Sequence, residues 1–348
     1  MIKNLTSCFA TGLLAATLAT PIIATPVMAE RPDDWPLATP ESVGLSTAAL
    51  DSAAEQVKDV PLRYCMSVVK NGELIYDNNF RGDANDRYFT FSVTKTLGAL
   101  LIGIAEYQGY LSINDKISDW LDSYPSSINP DATIRDVMGQ VSHSDPLGSD
   151  FKYNSGARVN TLGEILSVAT GMTSDDYADV ALFNPLGMQY SSWASDFSGN
   201  IAIGGGVTST CRDLARIGQL MMDKGVWRGE RLLSENYIQD MTQPSYPDAN
   251  SNYGYLTWLN KSEGEWHRIL VSGDDIMVKN APRNAYFATG FFGQLIINIP
   301  DENVVVTTLG TSLQLETLNT LQDVWDAIEP AIMQSPLSGP EIINDMPR

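Results

Sequence analysis

The chain is short of the residues from which many active sites are built. It has two histidines in 348 residues, His143 and His267. That excludes a histidine-rich metal centre and confines any Ser-His-Asp triad to one of those two rings. Basic residues are scarce as well: 22 Lys+Arg face 42 Asp+Glu, for a formal net charge of −20. So acidic a surface repels phosphate backbones and anionic lipid, which argues against a nucleic-acid partner. Cysteines number three, and none has a CxxC partner or a nearby histidine, so neither a zinc site nor a cysteine nucleophile has support.

What is present fits a globular protein. The hydrophobic share of 43% is ordinary for a folded protein, and the length allows one large or two medium domains with a real core. At the N-terminus, Lys3 precedes a largely apolar stretch over residues 8–23, and Val27-Met28-Ala29 fits the small-x-small pattern of a signal-peptidase site. Pro21 and Pro26 interrupt the stretch, which is short for a membrane span. Residues 1–29 therefore read as a cleaved signal, with Glu30 opening a periplasmic or secreted chain that has no stable membrane anchor. Leu5-Thr6-Ser7-Cys8 has the look of a lipidation site, but its apolar region follows the cysteine instead of preceding it. Cleavage removes Lys3 and no acid, leaving 21 minus 42, a charge of −21. Cys65 and Cys211 remain, and two readings stay open: a disulfide in an oxidising compartment, or two buried thiols in apolar surroundings.

Hydrophobic spacing predicts a helix over 45–57 capped by Ser46, and a hairpin over 63–77 turning at Asn71-Gly72. It predicts an almost wholly apolar helix over 93–108, stopped by Gly109. Helices follow over 161–170, 174–183, 212–224 and 234–242, with a turn at 184–187. Strands are expected at 254–260, 294–299 and 303–309, then a closing helix at 311–333. Strands at both ends of the chain most simply share one antiparallel sheet. The organisation expected is a sheet domain from 30–88 and 250–334, a mostly helical domain over 89–249 inserted into it, and a loose tail at 335–348.

Ser-x-x-Lys occurs three times: Ser67 with Lys70, Ser92 with Lys95, and Ser149 with Lys152. In a strand, residues three apart point to opposite faces, which separates the first pair. The third lies in a loop beside Gly148 and Asp150. Only Ser92 and Lys95 open a helix, where positions i and i+3 share a face. A serine hydroxyl needs a neighbouring base, and lysine serves as one when burial disfavours its ammonium form. The helix N-terminus adds positive potential that stabilises an oxyanion. A serine N-cap followed by an ordinary surface lysine is the plain alternative.

Phe91-Ser92-Val93-Thr94-Lys95 resembles the nucleophile segment of the serine β-lactamase and penicillin-binding-protein superfamily, in particular its class C-like, esterase and 6-aminohexanoate-dimer hydrolase branch. Other segments match in order: Tyr153-Asn154-Ser155-Gly156, Pro185-Leu186-Gly187-Met188, Gly204-Gly205-Gly206-Val207, Arg212-Asp213-Leu214, Tyr253-Gly254-Tyr255 with Trp258, and Ala288-Thr289-Gly290. The resemblance spans roughly residues 40–310. It implies an α/β (α+β) fold of the β-lactamase/transpeptidase type, an antiparallel sheet flanked by helices with a mostly helical insertion.

It also implies roles. Ser92 would be the acylated nucleophile and Lys95 its proton acceptor. Tyr153 would protonate the leaving group and help activate the deacylating water. The oxyanion hole would be the N–H groups of Ser92 and Phe291, and Ser155, Thr289 and Gly290 would line the cleft. No metal or organic cofactor is implied. The departure is Ala288, where the family carries a cation that holds a substrate carboxylate. Its absence favours a small-molecule ester or small amide over a penicillin or a peptidoglycan stem, unless Lys279 or Arg283 reaches in. The rival readings are a β-lactamase or D,D-carboxypeptidase, and a non-catalytic binding protein that keeps the fold. His143, just before Tyr153, reads either as a substrate contact or as a hydrogen-bonded loop residue.

Overall fold

A computed structural model describes residues 35–154, 156–261, 264–313 and 317–333. The expected signal segment, Ser155 and the expected tail after 335 lie outside these residues.

The hairpin begins the sheet. Asn71 (φ 55°) and Gly72 (φ 83°) both take the left-handed conformation that a two-residue turn demands. They join the strands Arg63–Lys70 and Glu73–Asn79. The strand Val304–Gly310, from the far end of the chain, pairs antiparallel with Arg63–Lys70, so the two ends do share one sheet. Gln294–Ile299, Tyr286–Gly290 and the short Trp258–Leu259 extend it to six strands, and the registered pairs are antiparallel throughout.

Strand periodicity then sorts side chains onto two faces. Phe287, Leu295, Ile297, Val304 and Val306 pack with the helices Thr47–Asp59 and Thr317–Ile332. Ala288, Ile296 and Val305 pack with Val93–Tyr107 and Cys211–Met222 on the other side. Covered on both faces, these strands are buried end to end, which explains their unbroken apolar runs. The disulfide reading is the one the structure adopts: Cys65 on the sheet is bridged to Cys211 at the start of its helix.

Five expected elements differ. The helix expected at 161–170 starts earlier, at Ala157. The stretch at 174–183 is an α-helix only over Ser174–Ala178, followed by a π turn at Asp179–Phe183. Asn184–Leu186, expected as a turn, continues the helix because Pro185 sits in its first turn, where its missing N–H costs nothing; Gly187 (φ 70°) then ends it. The strand expected at 254–260 shrinks to Trp258–Leu259, since residue 256 takes a positive φ (48°) that breaks extended geometry. The closing helix starts at Thr317, not 311; residues 311–313 are irregular.

Candidate active site

The helix Val93–Tyr107 carries the site. Every residue from Val93 to Ala105 is buried, and each fully buried Val, Leu or Ile stabilises the packing by roughly 1.5–3 kcal/mol. So deep a helix holds its first turn rigidly. Phe91 enters it with a positive φ (48°), unusual for an aromatic residue. Thr90 fastens the entry: both its N–H and its hydroxyl donate to the Val207 carbonyl at 3.0 Å. Ser92 occupies the N-cap position, yet its hydroxyl makes no capping hydrogen bond to the helix. It instead accepts from Lys95 Nζ at 2.9 Å.

Lys95 is 1% exposed. Its Nζ also donates to the Gly204 carbonyl at 2.9 Å, and Gly204 is held in turn by its N–H on Asn160 Oδ1 at 2.8 Å. Burial pushes the Lys95 ammonium below the ordinary lysine range; the Tyr153 phenol, hydrogen-bonded to it, opposes that in part. The surface-lysine alternative is therefore not what the structure adopts.

Tyr153 comes from a loop, and its ring centre lies 4.8 Å from Lys95 Nζ. The loop is pinned on both sides of it. Lys152 N–H donates to the Gln140 carbonyl, Asn154 N–H donates to Gln140 Oε1, and Arg158 donates to the Lys152 carbonyl. The ring stacks on Trp258 (centroids 5.6 Å apart, 24° between planes) and meets Tyr253 edge-on.

Gly290 and Phe291 close the other side. A Cβ on Gly290 would lie 2.3 Å from the Thr90 carbonyl oxygen and 3.1 Å from the Ser92 nitrogen. Only glycine lets the strand end lie against the nucleophile's backbone. The segment after Gly290 turns sharply through Phe292 (φ 62°), and Phe292 packs edge-on against Phe91. Ser92, Tyr153, Trp258, Arg268, Ile269, Thr289, Gly290, Phe291 and Thr317 line one crevice with a volume of about 10 Å³, room for about one water.

Of the residues expected at the site, Ser92, Lys95, Tyr153, Thr289, Gly290 and Phe291 come together; Ser155 lies outside the described residues. The other Ser-x-x-Lys pairs separate. Ser67 donates to Asp77 while Lys70 reaches Glu302, and Ser149 bonds the Pro146 carbonyl while Lys152 is exposed. His143 is hydrogen-bonded through Nε2 to Asp150 at 3.0 Å, the loop reading, and His267 is exposed beside the short strand pairing of its hairpin.

Ala288 is buried in the core beneath the nucleophile helix, and Lys279 and Arg283 are exposed and do not line the crevice. The cation arrives instead on the hairpin Trp266–His267 with Ser272–Gly273. Arg268 follows it directly, stacks on Trp258 at 4.1 Å, and donates through Nη2 to Thr289 Oγ1 at 3.3 Å. The sequence carried no spacing signal for Arg268, since a guanidinium brought in by a loop has no fixed offset from the motif it joins. Gln140 and Asn160 were missed for the same reason.

A rigid helix-opening serine, a buried amine on its hydroxyl and a two-sided antiparallel sheet define a serine hydrolase scaffold. The pattern of the β-lactamase family matches residues 64–324, and the chain belongs to that family. A curated relative, the 6-aminohexanoate-dimer hydrolase of Paenarthrobacter ureafaciens, is 21% identical over 258 residues, 60% of this chain and 66% of its own length. The chain thus spans just under two thirds of that relative. Among solved structures, a β-lactamase from Mycobacterium bovis aligns with a TM-score of 0.64 at 18% identity, covering 81% of this chain and 100% of its own. EstCE1, a hydrolase with promiscuous acyltransferase activity, aligns with a TM-score of 0.64 at 14% identity, covering 81% and 100%.

Proposed function

We propose that the chain is an exported serine hydrolase that cleaves esters or small amides through an acyl-enzyme on Ser92. The observation that carries this reading is Lys95 Nζ, buried, 2.9 Å from the Ser92 hydroxyl, with its charged form disfavoured. Lys95 takes the hydroxyl proton as Ser92 Oγ attacks the substrate carbonyl. The oxyanion forms against the N–H groups of Ser92 and Phe291, where the Gly290 approach fixes their spacing. Tyr153, hydrogen-bonded to Lys95, relays that proton to the leaving group, and the same pair then activates the water that releases the acyl group.

The name of the Paenarthrobacter relative supports a small-amide substrate and EstCE1 an acyl-transfer chemistry. The exposed Ile269 and Phe291 at the crevice mouth offer an apolar face to an acyl chain. The Cys65–Cys211 bridge supports export, because such bridges persist in oxidising compartments. A second reading, a penicillin-like substrate, is favoured by one observation: Arg268 beside Thr289 restores a cation to the crevice.

A serine-directed fluorophosphonate should label Ser92, and the chain should hydrolyse p-nitrophenyl butyrate, with both lost in Ser92→Ala. Because the Ser92 side chain caps nothing, that variant should keep its fold. No adduct on the folded wild-type chain would overturn the enzyme reading. Turnover of a coloured cephalosporin without ester hydrolysis would favour the second.

A further inference from the structure

The crevice over Ser92 opens between two apolar residues. Among the described residues that line it, Ile269 and Phe291 alone are exposed, at 51% and 41%. Two more apolar residues follow the first of them: Leu270 is 61% exposed and Val271 37%. We propose that the tip Ile269-Leu270-Val271 determines specificity for the acyl group, selecting esters whose acyl group is a hydrocarbon chain long enough to lie along it. The proposal deepens the serine hydrolase reading and rests on it.

The composition of the tip is the first reason. Arg268 N–H donates to the Val271 carbonyl at 2.8 Å, which closes a hairpin turn with Ile269 and Leu270 as its two middle residues. Gly, Asn, Asp, Ser and Pro favour such places, through their backbone conformations or their side-chain hydrogen bonds to the turn. Isoleucine and leucine bring neither advantage. Held in water, each also forgoes the burial that stabilises an apolar side chain elsewhere. A large apolar turn set at the mouth of a catalytic crevice breaks the local rule where a ligand arrives.

The room inside the crevice is the second reason. About 10 Å³ holds roughly one water, little more than the reacting carbonyl group. Four directions leave the carbon under attack. One is taken by the Ser92 oxygen, one by the oxyanion toward the N–H groups of Ser92 and Phe291, and one by the leaving group toward Tyr153. The acyl chain takes the fourth, out through the mouth, and meets Ile269 first. Phe291 forms the opposite bank. Its neighbour Phe292 continues that bank to Phe91, 5.1 Å away between ring centres, and Phe91 to the 66% exposed Phe89, 6.2 Å further. Because the apolar residues frame this opening, what covers them is what reaches Ser92.

The tip is set in place without help from its own side chains. Trp266 is buried and donates through Nε1 to the Asp275 carbonyl at 2.6 Å. Asn250 Nδ2 donates to the His267 carbonyl at 2.8 Å, and Ser272 pairs with His267 across the hairpin. Ile269 and Leu270 can therefore be replaced while the turn stays formed.

The test is a series of p-nitrophenyl esters, butyrate, hexanoate and octanoate, each kept below its solubility limit. A methylene fully withdrawn from water gains about fourfold in affinity, and one lying on a surface about half that free energy, or about twofold. The full wild-type chain should favour octanoate over butyrate by about 15-fold in kcat/KM at that rate. The ratio should fall to about fourfold in Leu270→Ser and to within about twofold of unity in the double variant Ile269→Ser, Leu270→Ser. It should keep its wild-type value in Phe197→Ser, which removes an exposed ring that does not line the crevice. The ratio is taken within each variant, so a general loss of rate does not move it, and fluorophosphonate labelling of Ser92 reports an intact fold and nucleophile. A wild-type ratio near unity or an unchanged ratio in the double variant overturns the proposal. So does a length dependence found instead between ethyl and hexyl butyrate, which puts the tip on the alcohol side, or a gain seen only above the solubility limit, which makes it a seat for aggregated ester. Each of these leaves the hydrolase reading standing. Failure of Ser92 to label in the wild type overturns both.

Discussion

Reduction of the Cys65–Cys211 bridge should cost the fold up to about 5 kcal/mol. The two cysteines are 146 residues apart in sequence. The chain-entropy relation for cross-links assigns a loop of that length about 17 cal/mol/K of removed unfolded-state entropy, or about 5 kcal/mol at 25 °C. The figure is an upper one, because denatured chains are already compact. It is nonetheless a large share of the roughly 5–15 kcal/mol that holds an ordinary domain together. Position adds to length: Cys65 lies on the central sheet and Cys211 opens the helix packed beneath it, so the bridge spans the nucleophile helix and most of the helical block. Both cysteines are 2% exposed, so reductant reaches them only after unfolding. The assay is urea unfolding followed by fluorescence of the seven tryptophans, on oxidised protein and on protein reduced in denaturant and refolded under reductant. At an m of about 3 kcal/mol/M the midpoint should fall by up to about 1.7 M. Midpoints that coincide would refute the entropic reasoning. Alkylation of the unfolded, unreduced full-length chain at Cys65 and Cys211 as well as Cys8 would refute the bridge itself.

Other outcomes follow from the nucleophile helix. Lys95→Met should lower kcat/KM for p-nitrophenyl butyrate at pH 7 by about 10²- to 10⁴-fold, the range of a lost general base. The sign of the pH dependence is fixed: an ammonium cannot accept a proton, so the wild-type rate should rise as pH climbs through the lowered Lys95 value. That rising limb should vanish in Lys95→Met; the same limb in the variant would assign it elsewhere. Lys95→Arg keeps a cation and should be equally impaired, because a guanidinium does not give up its proton; retained turnover would remove Lys95 as base. Gly290→Ala pushes a methyl to 2.3 Å from the backbone oxygen of Thr90. A shift of order 1 Å between strand and nucleophile should cost about 100-fold in kcat, read by steady-state kinetics beside a circular dichroism melt. Full activity would separate that contact from the chemistry.

Much of the fold was legible because its signals are local. Asn71-Gly72 permits few turns other than the one observed, and the Ser46 hydroxyl accepts from Ala49 N–H as a helix cap should. The unbroken apolar run from Val93 to Ala105 could only be a helix inside a core. The choice of Ser92 and Lys95 over two other pairs also rested on local geometry, strand against helix against loop. What was not legible depends on contacts distant in sequence. Trp258–Leu259 is a strand only where Tyr286 and Phe287 offer it a partner. The start of the helix at Ala157 is set by the pinned Tyr153 loop before it, through Arg158 and the Lys152 carbonyl. For Cys65 and Cys211 the sequence left a bridge and two buried thiols both open, and only the packing of helix on sheet brings the two together.

Ala288 leaves the strand position without a cation, and the guanidinium that borders the crevice, Arg268, comes from elsewhere in the chain. A family motif ties a function to a place in the chain, whereas a substrate meets only a place in space. Lys95, buried beneath Ser92, and Arg268, on the crevice wall, also differ in kind, and the difference is physical. Lysine titrates when buried, so a lysine deep under Ser92 can work as a base. Arginine holds its charge under nearly any surroundings, so a guanidinium at the crevice wall does not compete for the Ser92 proton. The arginine comes in on a hairpin anchored separately from the helix that carries Lys95. The scarcity of cations in this acidic chain makes their placement the more telling, since one lies 1% exposed on the nucleophile and another borders the same crevice across Trp258 and Tyr153.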